Sequence, residues 1–236
     1  MYYGRRTTRE RLRMKFDVVL LFEHTGLAAK PFIQRGMNVC MIDLQNTQPN
    51  AYVPEAAQYA YDVLKRERDI VKLCRGANLV FGMPPCTDLA VSGARHFRKK
   101  AALDSEFQTK AVHLARSVER IGTKAGAPWA AENPIGRLST LWRHWNFIFD
   151  PWEFGAYLPL KDGHPMWPEY IPARDAYSKR TCLWSGNGFK LPRKRPVEEP
   201  DGYSPQFYKT GGKSEKTKLI RSASPRGFFT ALAKSL

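Results

Sequence analysis

The 236 residues suffice for one sizeable core, and 43 % hydrophobic with 25 % charged residues is ordinary globular usage, which excludes a mostly disordered or collagen-like chain. The longest apolar run, Val18 to Phe22, is too short to cross a bilayer, and the basic stretch Met1 to Lys15 has no apolar core of a secretory signal behind it. Lys and Arg number 38 against 22 Asp and Glu, a net charge of +16, which favours a polyanionic partner over a membrane surface. Four cysteines without a CxxC pair argue against a disulfide scaffold and for reduced thiols in a cytosolic setting.

Along the chain, Phe16 to Phe22 reads as a buried strand entered from a basic arm over residues 1–15. Gly26 marks a turn, Leu27 to Arg35 a short helix ending at Gly36, and Asn38 to Leu44 a second strand with Asp43 near its end. A helix is expected over Glu55 to Arg75, a strand over Asn78 to Met83, a long amphipathic helix over 103–125, and a strand from Trp129 to Ala131 running into Glu132-Asn133-Pro134. This alternation predicts an α/β fold with right-handed crossovers and a largely parallel sheet. After Asp150 only Thr181 to Trp184 reads as a strand. Residues 190–218 are polar, basic and rich in Gly and Pro, and read as an insertion or loop. Phe228 to Lys234 reads as a final helix after Pro225.

Ligands of open α/β sheets sit beyond the carboxyl ends of the strands. Three such ends carry chemistry here: Phe22-Glu23-His24-Thr25-Gly26, Asp43, and Gly82-Met83-Pro84-Pro85-Cys86-Thr87. A strand-end acid is often only a helix cap. In order on one edge, however, these groups suggest a nucleoside-containing cofactor. Cys40, Cys74 and Cys182 read as small core residues. Cys86 differs, because two prolines fix its backbone at a strand end and a helical turn follows, which suits either a nucleophile or a structural thiol. Glu132, at the end of an apolar strand and fixed by Pro134, could protonate a substrate in a dry pocket or simply cap the next turn. The five histidines are scattered without ligand spacing, so no metal site is expected.

These motifs together resemble the DNA (cytosine-5) methyltransferase family, in its short phage-type branch. Gly82 to Gly93, with its Pro-Cys dipeptide and trailing Ser92-Gly93, resembles the nucleophile motif. Glu132-Asn133-Pro134 resembles the Glu-Asn-Val motif, Ser178-Lys179-Arg180-Thr181 the motif whose basic residue contacts the flipped base, and Arg221 to Arg226 the late Thr-Pro-Arg motif. Phe22 and Gly26 resemble the cofactor loop, Asp43 the ribose acid, and Tyr61-Asp62-Val63 the acid that meets adenine. The matches run in family order from about residue 16 to 228.

The resemblance implies a Rossmann-like S-adenosylmethionine-dependent methyltransferase fold, with helices on both faces of a mostly parallel sheet. It implies a catalytic domain at 16–184, a reduced target-recognition region at 185–218, and a segment at 219–236 returning to the catalytic domain. Cys86, Glu132 and Arg180 become the catalytic residues, and Phe22, Gly26, Asp43, Asp62 and Pro84 the S-adenosylmethionine contacts. Arg5, Arg6, Arg95, Lys194, Arg195 and Arg226 become contacts to double-stranded DNA, in a host cytoplasm if phage-encoded. Two departures keep alternatives open. The first loop reads Glu23-His24-Thr25 where the family is richer in glycine, and no Gly-Asn-Ser-Val-like motif is found. A methyltransferase-like DNA-binding protein without efficient turnover, and the same chemistry on free cytosine nucleotide, are the competing expectations.

Overall fold

The structure is a computed structural model that describes residues 15–202, 204–212 and 214–236. Arg5 and Arg6 of the basic arm lie outside the described residues. Among those described, the strands are β1 (Val18–Leu21), β2 (Val39–Ile42), β3 (Ala57–Tyr59), β4 (Leu79–Gly82), β5 (Trp129–Pro134), β6 (Phe147–Phe149) and β7 (Thr181–Gly186). The α-helices are α1 (Lys30–Ile33), α2 (Glu67–Cys74), α3 (Phe97–Leu103), α4 (Phe107–Ala125), α5 (Leu138–Leu141), α6 (Pro205–Tyr208), α7 (Glu215–Ser222) and α8 (Arg226–Ser235). The seven strands form one sheet in the order β3-β2-β1-β4-β5-β7-β6. β1 pairs in parallel with both β2 and β4, and β7 runs antiparallel between β5 and β6. The chain is therefore an α/β protein with a mostly parallel, Rossmann-like sheet. The strand order reverses between β1 and β4, which opens a crevice beyond their carboxyl ends.

Why these segments become strands follows from burial on both faces. All four residues of β1, β2 and β4 are buried. Val19, Leu21, Cys40, Ile42 and Val80 point to one face, under α2 and α4. Val18, Leu20, Met41 and Phe81 point to the other, under α1, α8 and the 3-10 segment Pro151–Tyr157. A strand buried on both faces needs an unbroken apolar run, which is how these strands read.

The α4 helix lays Ala111, Ala115, Val118 and Ile121 on the sheet at helical spacing. Its approach is close enough that a Cβ on Gly82 would stand 2.3 Å from Val118 Cγ2. On the opposite face α8 inserts Phe228 and Phe229 among Phe81, Phe149 and Phe154, with the Phe149 and Phe228 rings stacked 4.4 Å apart. No helix among the described residues is long and apolar enough to cross a membrane.

Several boundaries differ from the sequence reading. The segment expected as one helix over Glu55 to Arg75 begins as β3, since Ala57–Tyr59 completes the β2 edge, and only Glu67–Cys74 is α-helical. The Asp62 carboxylate accepts from the Leu64 and Lys65 amides and shapes the turn between them. The helix expected over 103–125 is broken at Asp104, whose carboxylate accepts from the Glu106 amide and pairs with Lys110 at 2.7 Å. The segment expected as loop at 190–218 contains α6 and the start of α7, capped by Ser204 and Ser214.

Gly82→Ala tests the packing of α4. With no room for a methyl group, the sheet and helix must separate, at a cost of about 1–3 kcal/mol. A lower thermal midpoint is expected, partly restored by Val118→Ala in the same chain. Equal stability of Gly82→Ala and the unaltered protein would contradict this packing.

Candidate active site

Two neighbouring strand ends are stitched together at the carboxyl edge of the sheet. Beyond β4, Met83 donates its amide to the Leu21 carbonyl (3.0 Å), and Pro84 and Pro85 then deny the chain any further amide donors. At Cys86 the chain turns, its carbonyl accepting from Leu89 and Ala90 at 2.9 and 2.8 Å. Ala90 bridges Gly136 just past β5, and Arg137 donates to the Leu89 carbonyl at 2.8 Å. Only glycine fits at 136, because a Cβ there would lie 2.1 Å from the Leu89 oxygen. Between these contacts, the fully buried Asn133 donates from Nδ2 to the Pro84 carbonyl at 2.9 Å. The nucleophile candidate and the acid candidate are thus carried on two chain segments fixed to each other.

Glu132 is half-buried, and its Oε1 is shut off from solvent without a hydrogen-bond partner. Burial pushes its carboxyl above the usual range, with the Lys179 ammonium opposing that shift. The Cys86 thiol is also pushed up, first by burial and next by the Glu132 charge, with Lys179 acting in the opposite direction. Glu132 and Lys179 line one recess with Met83, Ser222, Ala223, Ser224 and Pro225, over a floor of Phe81, Phe149, Phe228 and Phe229. It holds about 10 Å3, room for about one water molecule.

Arg180, the basic residue expected in this site, is not brought to it. The backbone amide of Lys179 is held by the Asp150 carboxylate, and side chains alternate as the chain enters β7. Leu183 lies on the face of β7 that carries the recess floor, whereas Cys182 and Trp184 lie on the other. Lys179 therefore meets Glu132, while Arg180 is exposed and acts on Asp150 and Cys182. The sequence reading included Lys179 in its motif but chose the neighbour. Asn133, also within a quoted motif, was not singled out.

On the other side of the crevice, the loop after β1 is organised by an acid. Glu23 is 3 % exposed, and its carboxylate accepts from the Gly26 amide and the Thr25 hydroxyl, both at 2.7 Å. Asn46 and Asn50 tie down the Glu23 and His24 carbonyls. Phe22 and Gly26 both adopt positive φ, 61° and 83°. Gly26 is also hemmed in, since a Cβ would stand 2.6 Å from Val53 Cγ2. The side chain of Glu23 thus performs the tight turn for which more glycine would be expected, and sequence reading gave it no such role.

Asp43 uses Oδ1 to accept from the Gln45 amide at 2.7 Å, and Oδ2 lies 3.9 Å from His24 Nδ1. That leaves Oδ2 able to accept from a ribose hydroxyl at the expected place beside β1. Asp62 is committed to its own turn and sits 3.8 Å from Lys65. The Pro84 carbonyl accepts from Asn133 Nδ2 and keeps a second lone pair.

The expected DNA contacts divide. Arg95 is exposed, in the 3-10 turn Val91–His96 just beyond Cys86. Lys194 and Arg195 are exposed, Lys194 paired with Glu153 at 2.6 Å and Arg195 over the Tyr157 ring. Arg226 is a correction. It is 9 % exposed, and its guanidinium grips Asp162 at 2.9 and 2.6 Å and Asp175 at 3.4 Å. It fastens the 162–175 segment to the start of α8 and faces no solvent phosphate. No group of three or more His, Cys, Asp or Glu among the described residues is placed to hold a metal ion.

Arg226→Ala would strand two carboxylates in a dry interior, costing about 3–5 kcal/mol. The expected result is a large drop in thermal stability. A stable variant with weakened DNA binding would instead restore Arg226 to the phosphate contacts.

No protein-family model matches this chain, and no curated protein is significantly similar to it in sequence.

Proposed function

We propose that the protein transfers a methyl group from S-adenosylmethionine to C5 of cytosine in DNA. The observation that carries this reading is that the Cys86 loop is stitched to the strand end that carries Glu132, which shares one recess with Lys179. A thiol, a carboxyl shifted toward its protonated form and an ammonium match what addition to a cytosine ring requires. The base swings out of the duplex, and the Ser222–Pro225 link must move to admit it to the recess. Cys86 Sγ bonds to C6 while Glu132 protonates N3, which draws the ring electrons away from the point of attack. Lys179 donates to O2 and stabilises the charge that gathers there. The addition makes C5 nucleophilic.

S-adenosylmethionine supplies the electrophilic methyl group that C5 takes up. Asp43 would hold a ribose hydroxyl of that group, with the loop fixed by Glu23 on the β1 side of the crevice. After methyl transfer, N3 returns its proton to Glu132, a water molecule takes the C5 proton, and the electrons left behind re-form the C5–C6 double bond and expel Cys86 as thiolate. The net charge of +16 supports a polymer substrate, since a mononucleotide offers few phosphates to neutralise. The narrowness of the recess favours a second reading, a protein that holds DNA without flipping a base.

Incubation with methyl-labelled S-adenosylmethionine and unmodified DNA, followed by digestion to nucleosides, separates the two. Label in 5-methyldeoxycytidine is expected, lost with Cys86→Ser and reduced about 10²–10⁴-fold with Glu132→Gln. DNA bound with steep salt dependence but never labelled would establish the second reading.

A further inference from the structure

On the β1 side of the crevice, the ends of β1 and β2 are cross-linked by three sets of hydrogen bonds. Ile42, the last residue of β2, accepts at its carbonyl from the amides of Phe22 (2.7 Å) and Glu23 (3.4 Å), so the chain leaving β1 stays beside β2. Asn46 and Asn50 reach back to the Glu23 and His24 carbonyls, at 3.0 and 2.6 Å. The backbone of His24 is thereby held, and its ring stands opposite the Asp43 carboxylate. His24 Nδ1 lies 3.9 Å from Asp43 Oδ2, too far for a hydrogen bond, with the two side chains 26 % and 14 % exposed. Asp43 is fixed by the Gln45 amide on Oδ1, and the neighbouring Glu23 carboxylate is engaged by Thr25 and Gly26. Neither Asp43 Oδ2 nor the His24 ring has a hydrogen bond among the described residues. Two hydrogen bonds that meet at one oxygen, at an angle of about 90–110°, hold their outer atoms about 4.0–4.6 Å apart. The gap between His24 and Asp43 is therefore the width of one hydroxyl group.

We propose that His24 and Asp43 clamp a single ribose hydroxyl, which donates to Asp43 Oδ2 and accepts from His24 in the tautomer with its proton on Nδ1. A carboxylate only accepts and a ring N–H donates, so together they match the two capacities of a hydroxyl. A hydrogen atom in place of that hydroxyl leaves both partners unmatched, which makes the clamp a discriminator between ribose and deoxyribose. His24 stands in the loop where the family that this chain resembles is richer in glycine, and a glycine there has no side chain to offer. The Glu23 carboxylate organises the turn from its own side chain, which leaves position 24 able to carry a ring. That the hydroxyl belongs to S-adenosylmethionine rests on the cytosine reading, whereas the clamp itself does not.

The test reads binding and needs no turnover. The full-length protein is titrated by calorimetry with S-adenosylhomocysteine and with its 2′-deoxy and 3′-deoxy analogues. One of the two analogues should bind about 10–100-fold more weakly than the parent, because a hydrogen bond to a charged acceptor is lost with the hydroxyl. His24→Ala should weaken the parent about 3–10-fold and leave the affinity of that same analogue unchanged, since the two changes remove one shared interaction. His24→Gln, which keeps an N–H donor, should recover part of the loss. Equal binding of the parent and both analogues overturns the proposal, even if every variant fails to fold. So does His24→Ala weakening all three ligands alike while lowering the thermal midpoint without ligand, the signature of an ion pair that serves only the fold. Adenosine, 2′-deoxyadenosine and 3′-deoxyadenosine form a second series. If S-adenosylhomocysteine does not bind but the adenosine series shows the His24-dependent preference, the cytosine reading fails and the clamp stands. Binding of neither series overturns both.

Discussion

The hydrogen bond from Asn133 Nδ2 to the Pro84 carbonyl, 2.9 Å long and wholly buried, is the constraint on which the site depends. Parallel neighbours such as β4 and β5 have no hairpin to set the distance between their ends. After Gly82 the strand pairing stops, Met83 donates a last amide to Leu21, and Pro84 and Pro85 have none to donate. The Asn133 amide supplies the missing cross-link one residue past Glu132 and two before Cys86. Gly136 continues the seam, because its missing side chain lets Ala90 approach and bridge it. The chain segments that carry the Cys86 thiol and the Glu132 carboxyl are thereby fixed to each other.

Dehydration and charge work against each other in this seam. Burial alone would leave Cys86 and Glu132 both neutral and inert. The Lys179 ammonium opposes the upward shift of both. The buried triad of Arg226, Asp162 and Asp175 solves a different problem with similar parts. There the guanidinium is saturated with carboxylate oxygens, and Gly227 donates a further amide to Asp175 at 2.8 Å. That cluster holds α8, and with it the phenylalanine floor of the recess, in place. Lys179, by contrast, has no ion pair among the described residues.

Much of this was legible in the sequence. The apolar runs of β1, β2 and β4 announced strands buried on both faces, and the proline and glycine punctuation placed Cys86 and Glu132 at strand ends. β3 and β6 were not legible, because each is three residues long and is a strand only by virtue of its neighbour. The helix expected from Glu55 lost its first turns to β3 for the same reason. Lys179 and Arg180 could not be told apart, since their directions depend on how β7 pairs with β5, a long-range fact. Arg226 reads as one more cation in a basic tail until Asp162 and Asp175 are seen to enclose it. The role of Glu23 was hidden because a turn made by a side chain leaves no glycine signature.

The central claim is that Cys86 forms a covalent bond to C6 of a cytosine. A cytosine with fluorine at C5 cannot release that substituent as a proton, so the adduct should stall after methyl transfer. The decisive measurement is mass spectrometry of the protein after incubation with S-adenosylmethionine and duplex DNA containing 5-fluorocytosine, with the attachment site located by peptide mapping. The account predicts a denaturation-resistant adduct on the Cys86 peptide that requires S-adenosylmethionine. An adduct on another residue, or none from folded protein with both ligands bound, would contradict it.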